Sequence, residues 1–172
     1  VCNNGSFINC NYGITSVCQA ESGALISNTE FDCNVEGIHF EGLYDFIING
    51  CGFLSQGANA KNIVIVGGNG FVISGNKITG GYGTTPQGVG IYLQNTNGTL
   101  GRNGYVGENS ISNCVIGIQM VDCNNINFGK LAHFNCTTDA VKSGTNTNIQ
   151  ETGYQLAKTF AATLGTATTS WV

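Results

Sequence analysis

Two acidic residues with one residue between them are the strongest candidates for chemistry in this chain. Glu30 and Asp32 flank the apolar Phe31, and alternate residues of an extended strand point to the same face. Their Cα atoms would then lie about 6.5 Å apart. Side-chain rotation can bring the carboxylates to the roughly 6.5–9.5 Å of an inverting glycosidase, where one acid protonates the leaving oxygen and the other activates water. A solvated strand face is the simpler alternative.

A second group of residues is suited to holding a sugar. Tyr82 and Tyr92 offer aromatic faces to the C–H side of a sugar ring, and Gln87 offers an amide to its hydroxyl groups. Lys77 adds a charge, and the repeat described below places it in the same outward column as Glu30, two repeats away. These residues lie in or beside a polar, glycine-rich segment, and loops on a rigid scaffold commonly carry binding residues. We therefore predict carbohydrate binding by these four residues; the alternative is that the segment is only a mobile surface loop.

The elements that must position these residues are short strands in a repeated pattern. Each repeat has an apolar anchor, a polar turn, a second anchor five positions later and a period-two strand with a third anchor. The first anchors are Ile26, Ile48, Ile73, Val106 and Ile126. The middle anchors are Phe31, Phe53, Ile78, Ile111 and Phe134, or Leu131 in place of Phe134. The third anchors are Ile38, Ile65 or alternatively Ile63, Ile91, Ile118 and Val141.

The spacing of the middle anchors favours a solenoid. Successive middle anchors lie 22, 25, 33 and 23 residues apart, and repeats of this length bury their apolar face by stacking about 4.8 Å apart. Two insertions lengthen the intervals at one corner of adjacent coils, so they should stack into a wall beside a groove. Asparagines near the first bend suit a left-handed backbone and side-chain bonds to a neighbouring coil. These are Asn28, Asn49, Asn76 and Asn109.

Three segments carry a resemblance to a known family. The stretches FVISGNKITG, YVGENSISNC and FIINGCGFLS resemble the right-handed parallel β-helix family, which includes pectate-lyase-like enzymes and bacteriophage tailspikes. The resemblance covers roughly residues 6–150 and specifies a fold, because many unrelated chemistries use this scaffold. It implies an all-β, right-handed parallel β-helix of about six coils over residues 1–150. Residues 151–172 are expected to form a C-terminal cap or an oligomerisation segment.

The phage members of that family imply one function and leave two alternatives. The first expectation is a receptor-binding tailspike or tail-fibre domain, a homotrimer in the virion tail that binds, and in an active form hydrolyses, a cell-surface glycan. A secreted, extracellular polysaccharide-processing enzyme is the second, whether glycoside hydrolase or lyase. A non-catalytic structural or adhesive solenoid is the third. The aspartates are scattered, which counts against a lyase with a calcium-binding aspartate cluster.

The composition excludes several kinds of partner. The chain has six Lys and Arg in total and a net charge of −4. These few basic residues cannot form a positively charged stripe along a phosphate backbone, so no nucleic acid is expected as a partner. No apolar run approaches the roughly 18 residues of a membrane span, so no membrane insertion is expected. His39 and His133 are predicted on outward faces without a second ligand at suitable spacing. Neither a metal nor a cofactor is therefore expected.

Eight cysteines allow two interpretations. A small secreted chain would use them as a disulfide framework, but a chain long enough to form its own core does not need one. Four of them follow an apolar anchor by two or three residues, which predicts an inward column of small thiols. These are Cys10, Cys33, Cys114 and Cys136. Buried free thiols are therefore the favoured interpretation.

Overall fold

The chain forms a parallel β-solenoid of about six coils. The structure, a computed structural model, describes residues 1–55, 57–83, 85–96 and 104–151. Pairing between successive coils is parallel along both sheets. The predicted all-β solenoid is therefore confirmed.

Each coil is built from two or three strands. In chain order the strands are β1 (Cys2–Asn3), β2 (Ser6–Ser22), β3 (Leu25–Ser27), β4 (Glu30–Tyr44), β5 (Ile47–Asn49), β6 (Gly52–Ser55), β7 (Lys61–Val66), β8 (Val72–Ser74), β9 (Lys77–Thr79), β10 (Val89–Gln94), β11 (Gly104–Gly107), β12 (Asn109–Ser112), β13 (Ile116–Val121), β14 (Ile126–Phe128), β15 (Leu131–Phe134), β16 (Thr138–Ser143) and β17 (Gln150–Glu151). Coils 1 and 2 are β1–β2 and β3–β4. Coils 3 to 6 are β5–β7, β8–β10, β11–β13 and β14–β16.

Each coil contributes to three faces. Face A is the seven-stranded sheet β1-β3-β5-β8-β11-β14-β17. The other sheet has two halves, because β4 pairs with β6 through residues 30–33 and with β7 through residues 36–41. Face B comprises the first halves of β2 and β4 with β6, β9, β12 and β15. Face C comprises the second halves of β2 and β4 with β7, β10, β13 and β16.

The core consists of columns in which one inward side chain of each coil packs on the next. The face A column is Ile26, Ile48, Ile73, Val106 and Phe128. The face B column is Phe7, Phe31, Phe53, Ile78, Ile111 and His133. The face C column is Ile14, Ile38, Ile63, Ile91, Ile118 and Ala140. The apolar members from coils 2 to 5 are buried, so the anchors stack in ladders of like residues, as expected for a solenoid.

Three predicted anchors lie one or two positions away from the residue that continues the column. Ile63, the alternative anchor, pairs with Ile38, whereas Ile65 belongs to a second inward column. Phe128 rather than Ile126 continues the face A column. Ala140 rather than Val141 continues the face C column. A period-two strand offers two apolar candidates, and only pairing with the neighbouring coil decides between them.

His133 is the largest departure from the predicted columns. It occupies the inward position expected for Leu131 or Phe134, while Phe134 points outward and is 75% exposed. The prediction of an outward His133 is therefore wrong, since its side chain is only 3% exposed. Its Nδ1 lies 3.2 Å from Oδ1 of Asp139. A carboxylate partner allows an imidazole to replace a hydrocarbon inside the column.

Asparagines form a buried ladder at the bend between faces A and B. The backbone N–H of Asn76 donates to Asn109 Oδ1 at 3.0 Å, and Asn76 Oδ1 accepts from the N–H of Cys51 at 2.9 Å. The predicted coil-to-coil bonds are therefore present at Asn76 and Asn109. Asn28 itself has a left-handed backbone, with φ of 47°, but Gly75 takes that role before Asn76.

The described residues contain no helix that is both long and apolar enough to cross a bilayer. The predicted cap or oligomerisation segment at 151–172 lies outside the described residues, apart from Glu151 at the end of β17.

Replacing Phe31 by Ala is expected to lower the free energy of unfolding by about 3–5 kcal/mol. The Phe31 ring stacks between Phe7 and Phe53, with centroid distances of 5.1 and 4.8 Å, so truncation leaves a cavity that the fixed coil spacing cannot close. Urea unfolding measures the change. The control Phe134→Ala, at a 75% exposed position, should change stability by at most about 0.5 kcal/mol. Equal losses in the two variants would contradict the stacked column.

Stability is expected to fall as the pH decreases from about 7 to about 5. Burial lowers the pKa of His133 from its ordinary value of 6.5, although the Asp139 carboxylate acts in the opposite direction. Below about pH 6.5 the unfolded chain therefore binds a proton that the folded chain accepts only at lower pH. His133→Leu should remove this part of the pH dependence of the urea midpoint, and His39→Gln on the outer face should retain it. A His133→Leu profile as steep as that of the wild type would argue against the buried neutral imidazole.

Candidate functional site

Two outward columns on face B bring the acidic pair next to residues of coils 3 and 4. The first column is Glu30, Gly52 and Lys77, and the second is Asp32, Leu54 and Thr79. Coils lie about 4.8 Å apart, so Glu30 and Lys77 are separated by roughly 10 Å along their column. Lys77 therefore lies in the column of Glu30, as its spacing in the sequence predicted.

A cleft of about 470 Å³ opens over these columns. Gly52 has no side chain and leaves the space between Glu30 and Lys77 empty; a Cβ at this glycine would meet only Cγ of Glu30, at 3.8 Å. The core rings Phe31 and Phe53 also line the cleft. We call this space the face B cleft. It combines charged walls with an apolar base.

Tyr82 reaches the face B cleft from the loop between β9 and β10. Its hydroxyl donates to Asp32 Oδ2 at 3.5 Å, although Tyr82 belongs to coil 4 and Asp32 to coil 2. Desolvation and the negative charge of Asp32 raise the pKa of Tyr82 above its ordinary value of 10. The side chain is 69% exposed, so its ring is largely open to solvent. Tyr82 thus offers a hydrogen-bonded hydroxyl and an accessible aromatic ring.

The loops of coils 3 and 4 stack at the corner between faces B and C. The N–H of Val89 donates to the carbonyl of Ala60 at 2.8 Å. Gly88 has φ of 61° and lies so close to the same carbonyl that a Cβ would clash. Gly80 packs equally tightly against the backbone of coil 5. Both ends of the β9–β10 loop are therefore fixed, and the two predicted insertions stack.

Gln87 and Tyr92 are not among the residues that line the cleft. Gln87 closes the loop, since its backbone N–H donates to the carbonyl of Gly80 at 3.0 Å. Tyr92 lies on face C with Lys61 Nζ 4.1 Å from its ring centroid, and its hydroxyl donates to Gln94 Oε1 at 2.8 Å. Burial and, to a smaller extent, electrostatic interaction with Cys123 raise the pKa of Tyr92. The corner between β9 and β10 separates these residues from the cleft.

Four of the six predicted site residues line the face B cleft, namely Glu30, Asp32, Lys77 and Tyr82. Sequence analysis missed two neighbours that shape the same space, Gly52 and Leu54. Their signal was available, because they flank Phe53 as the acidic pair flanks Phe31. Aligning every coil on its middle anchor would have placed them in the same two columns.

A second polar cluster lies on face C around His39. Its Nδ1 is 2.8 Å from Glu36 Oε2, and its Nε2 is 4.0 Å from Glu41 Oε2. Each histidine thus has a carboxylate close by, since Asp139 also contacts His133. Among residues 1–55, 57–83, 85–96 and 104–151, no group of three or more His, Cys, Asp or Glu is placed to hold a metal ion.

Comparison with protein-family models, with curated proteins and with solved structures finds no match for this chain. The parallel β-solenoid is accordingly the part of the β-helix resemblance that the structure supports.

Proposed function

We propose that the protein binds a polysaccharide in the face B cleft. The support is the cleft itself, in which two carboxylates, an ammonium group and a tyrosine from coils 2 and 4 surround about 470 Å³ of open space. This volume lies within the roughly 300–1,000 Å³ of small-ligand sites. Sugar hydroxyls both donate and accept hydrogen bonds, and sugar rings have an apolar C–H face. The carboxylates accept, Lys77 donates, and Tyr82 offers its ring.

The charges of the cleft favour a neutral glycan. Glu30 and Asp32 contribute two negative charges and Lys77 one positive charge, within a chain of net charge −4. A polyanionic polysaccharide would meet a net negative surface, so long-range attraction would not assist its binding. Neutral sugars depend instead on hydrogen bonds and ring contacts.

Hydrolysis is the second activity that the acidic pair supports. Glu30 and Asp32 are two residues apart on β4 on either side of buried Phe31, which sets their Cα atoms about 6.5 Å apart. In an inverting glycosidase one acid protonates the glycosidic oxygen while the other activates a water on the opposite face of the sugar. We therefore propose these two residues as the catalytic pair if the bound chain is cleaved.

The wider role follows from the resemblance to the β-helix family. We propose a receptor-binding domain of a bacteriophage tailspike or tail fibre, assembled as a homotrimer in the virion tail and directed to a cell-surface glycan. Backbone pairing between coils holds the cleft residues of coils 2 and 4 in fixed relative positions. This arrangement suits a domain that must keep hold of a long polymer while the polymer is pulled. A secreted extracellular polysaccharide hydrolase is the alternative, and a monomer on native sizing would favour it over a trimeric tailspike.

Gly52→Val is expected to weaken polysaccharide binding at least about tenfold while the protein stays folded. The new side chain fills the cleft between Glu30 and Lys77, and its Cβ meets only one side-chain atom, at 3.8 Å. Valine also suits a strand better than glycine. Affinity is measured by calorimetry against a panel of bacterial surface polysaccharides.

The matched control for Gly52→Val is Ser110→Val. Ser110 follows Lys77 in the same outward column but lies one coil beyond the cleft, so this variant should bind as the wild type does. If the wild type binds no polysaccharide, or if both valine variants bind normally, the proposed function is wrong.

Glu30→Gln and Asp32→Asn are each expected to slow polysaccharide cleavage by about 10²–10⁴-fold, because each removes one proton-transfer group. Release of reducing ends from a bound polysaccharide measures the rate. Binding should change far less than cleavage, since both amides still accept hydrogen bonds through their carbonyl oxygens. Glu41→Gln, at an exposed position on face C, is the control and should cleave normally. Unchanged cleavage rates in both test variants would show that Glu30 and Asp32 are not the catalytic pair and that the cleft only binds the polysaccharide.

A further inference from the structure

Cysteines from consecutive coils meet in two places. Cys10 of coil 1 and Cys33 of coil 2 are paired positions of adjacent parallel strands, and their Sγ atoms lie 3.2 Å apart. Cys33 is 1% exposed, whereas Cys10 is half-buried. All eight cysteines are free thiols. The predicted single column of four thiols is therefore two separate pairs, because Ser55 follows Cys33 on coil 3.

The second pair joins coils 5 and 6. Cys114 and Cys136 each lie two residues after a paired position of adjacent strands, Ser112 and Phe134, and each thiol shifts the pKa of the other. Each follows an asparagine with a left-handed backbone, Asn113 and Asn135, and these two side chains are themselves hydrogen-bonded at 2.7 Å. Cys114 is fully buried and Cys136 is half-buried. Both pairs thus combine one partly exposed cysteine with one buried cysteine on the adjacent coil.

We propose that the Cys10–Cys33 and Cys114–Cys136 pairs are oxidation sites at which a small-molecule disulfide, such as oxidised glutathione, converts each dithiol into a disulfide joining consecutive coils. The backbone spacing suits the bond, since stacked strands lie about 4.8 Å apart and disulfides span Cα distances of about 4.4–6.8 Å. At Cys10 the pairing of β2 with β4 is also irregular, with register shifts on either side. A strand with such irregular pairing can move by the small distance that bonding requires.

The reaction balances in two exchange steps. The thiolate of the accessible cysteine attacks oxidised glutathione, forms a mixed disulfide and expels one glutathione thiolate. The buried partner then attacks the protein sulfur and expels the second. The two thiol protons leave with the two glutathione molecules, and two electrons pass from each protein dithiol to the reagent.

The accessible thiols are the chemically suited attackers. The hydrogen bond from Cys114 lowers the pKa of Cys136 to about 7, so a substantial thiolate fraction exists at neutral pH. Burial raises the pKa of Cys33 to about 12, which leaves it as the resolving thiol for Cys10. An accessible thiol beside a resolving cysteine is the arrangement found at redox-sensitive cysteines.

The test uses the full chain, fully reduced, freed of reductant and incubated with excess oxidised glutathione. Intact mass spectrometry should show the loss of two hydrogen atoms for each bridge, hence four in the wild type. Peptide mapping after pepsin digestion at acid pH, which prevents exchange, should link Cys10 to Cys33 and Cys114 to Cys136. Each bridge closes more than twenty residues of chain, so the melting temperature should rise by roughly 5 °C or more.

Two serine variants on β2 distinguish oxidation of a specific cysteine pair from oxidation of any half-buried thiol. Cys10→Ser should lose only two hydrogen atoms and gain a smaller rise in melting temperature. Cys18→Ser is the matched control, because Cys18 also lies half-buried on β2 but its thiol donates to the carbonyl of Glu41 at 3.7 Å; it should lose four. Retention of all thiols, stable glutathione adducts on Cys10 or Cys136, or bridges to other cysteines would each overturn the proposal.

Discussion

Backbone hydrogen bonds between parallel coils set the spacing and register of the side chains, and the rest of the structure depends on this constraint. Successive coils are held about 4.8 Å apart, and each inward residue packs on residues one coil earlier and one coil later. Phe31 therefore stacks on Phe7 and Phe53 at 5.1 and 4.8 Å, a separation that the backbone pairing sets. Because the spacing is fixed, a column is stable only when its members match in shape and polarity.

The same spacing couples one face to another through glycine. A Cβ on Gly37 of face C would lie 2.9 Å from the ring of Phe53 on the next coil. A Cβ on Gly90 would likewise lie 2.9 Å from the side chain of Ile111 on the next coil. Glycine on face C therefore makes room for the large face B residue of the following coil. Asp139 takes this place in coil 6, where its carboxylate contacts His133.

Ionisable side chains enter the inward columns in coil 6 and at the start of the next coil. Lys142 follows Met120 in an inward column of face C, and Glu151 follows Phe128 on face A. Burial lowers the pKa of Lys142, while the charge of Glu151 opposes that shift. Ionisable groups inside a solenoid are tolerated when opposite charges from neighbouring strands lie nearby. On the outer surface the same stacking forms the cleft, since Gly52 places no side chain between Glu30 and Lys77.

The sequence by itself determined the solenoid, the coil length and most of the anchors, because inward apolar residues recur at fixed offsets from a polar turn. It also placed Lys77 in the column of Glu30 and stacked the two insertions, since both follow from counting residues around a coil. Only the tertiary structure decided that Tyr82 reaches Asp32 two coils away, that Gln87 and Tyr92 lie elsewhere, and that His133 points inward. Loop paths and the choice between adjacent strand positions depend on pairing with another coil, and no residue pattern within one coil records that pairing.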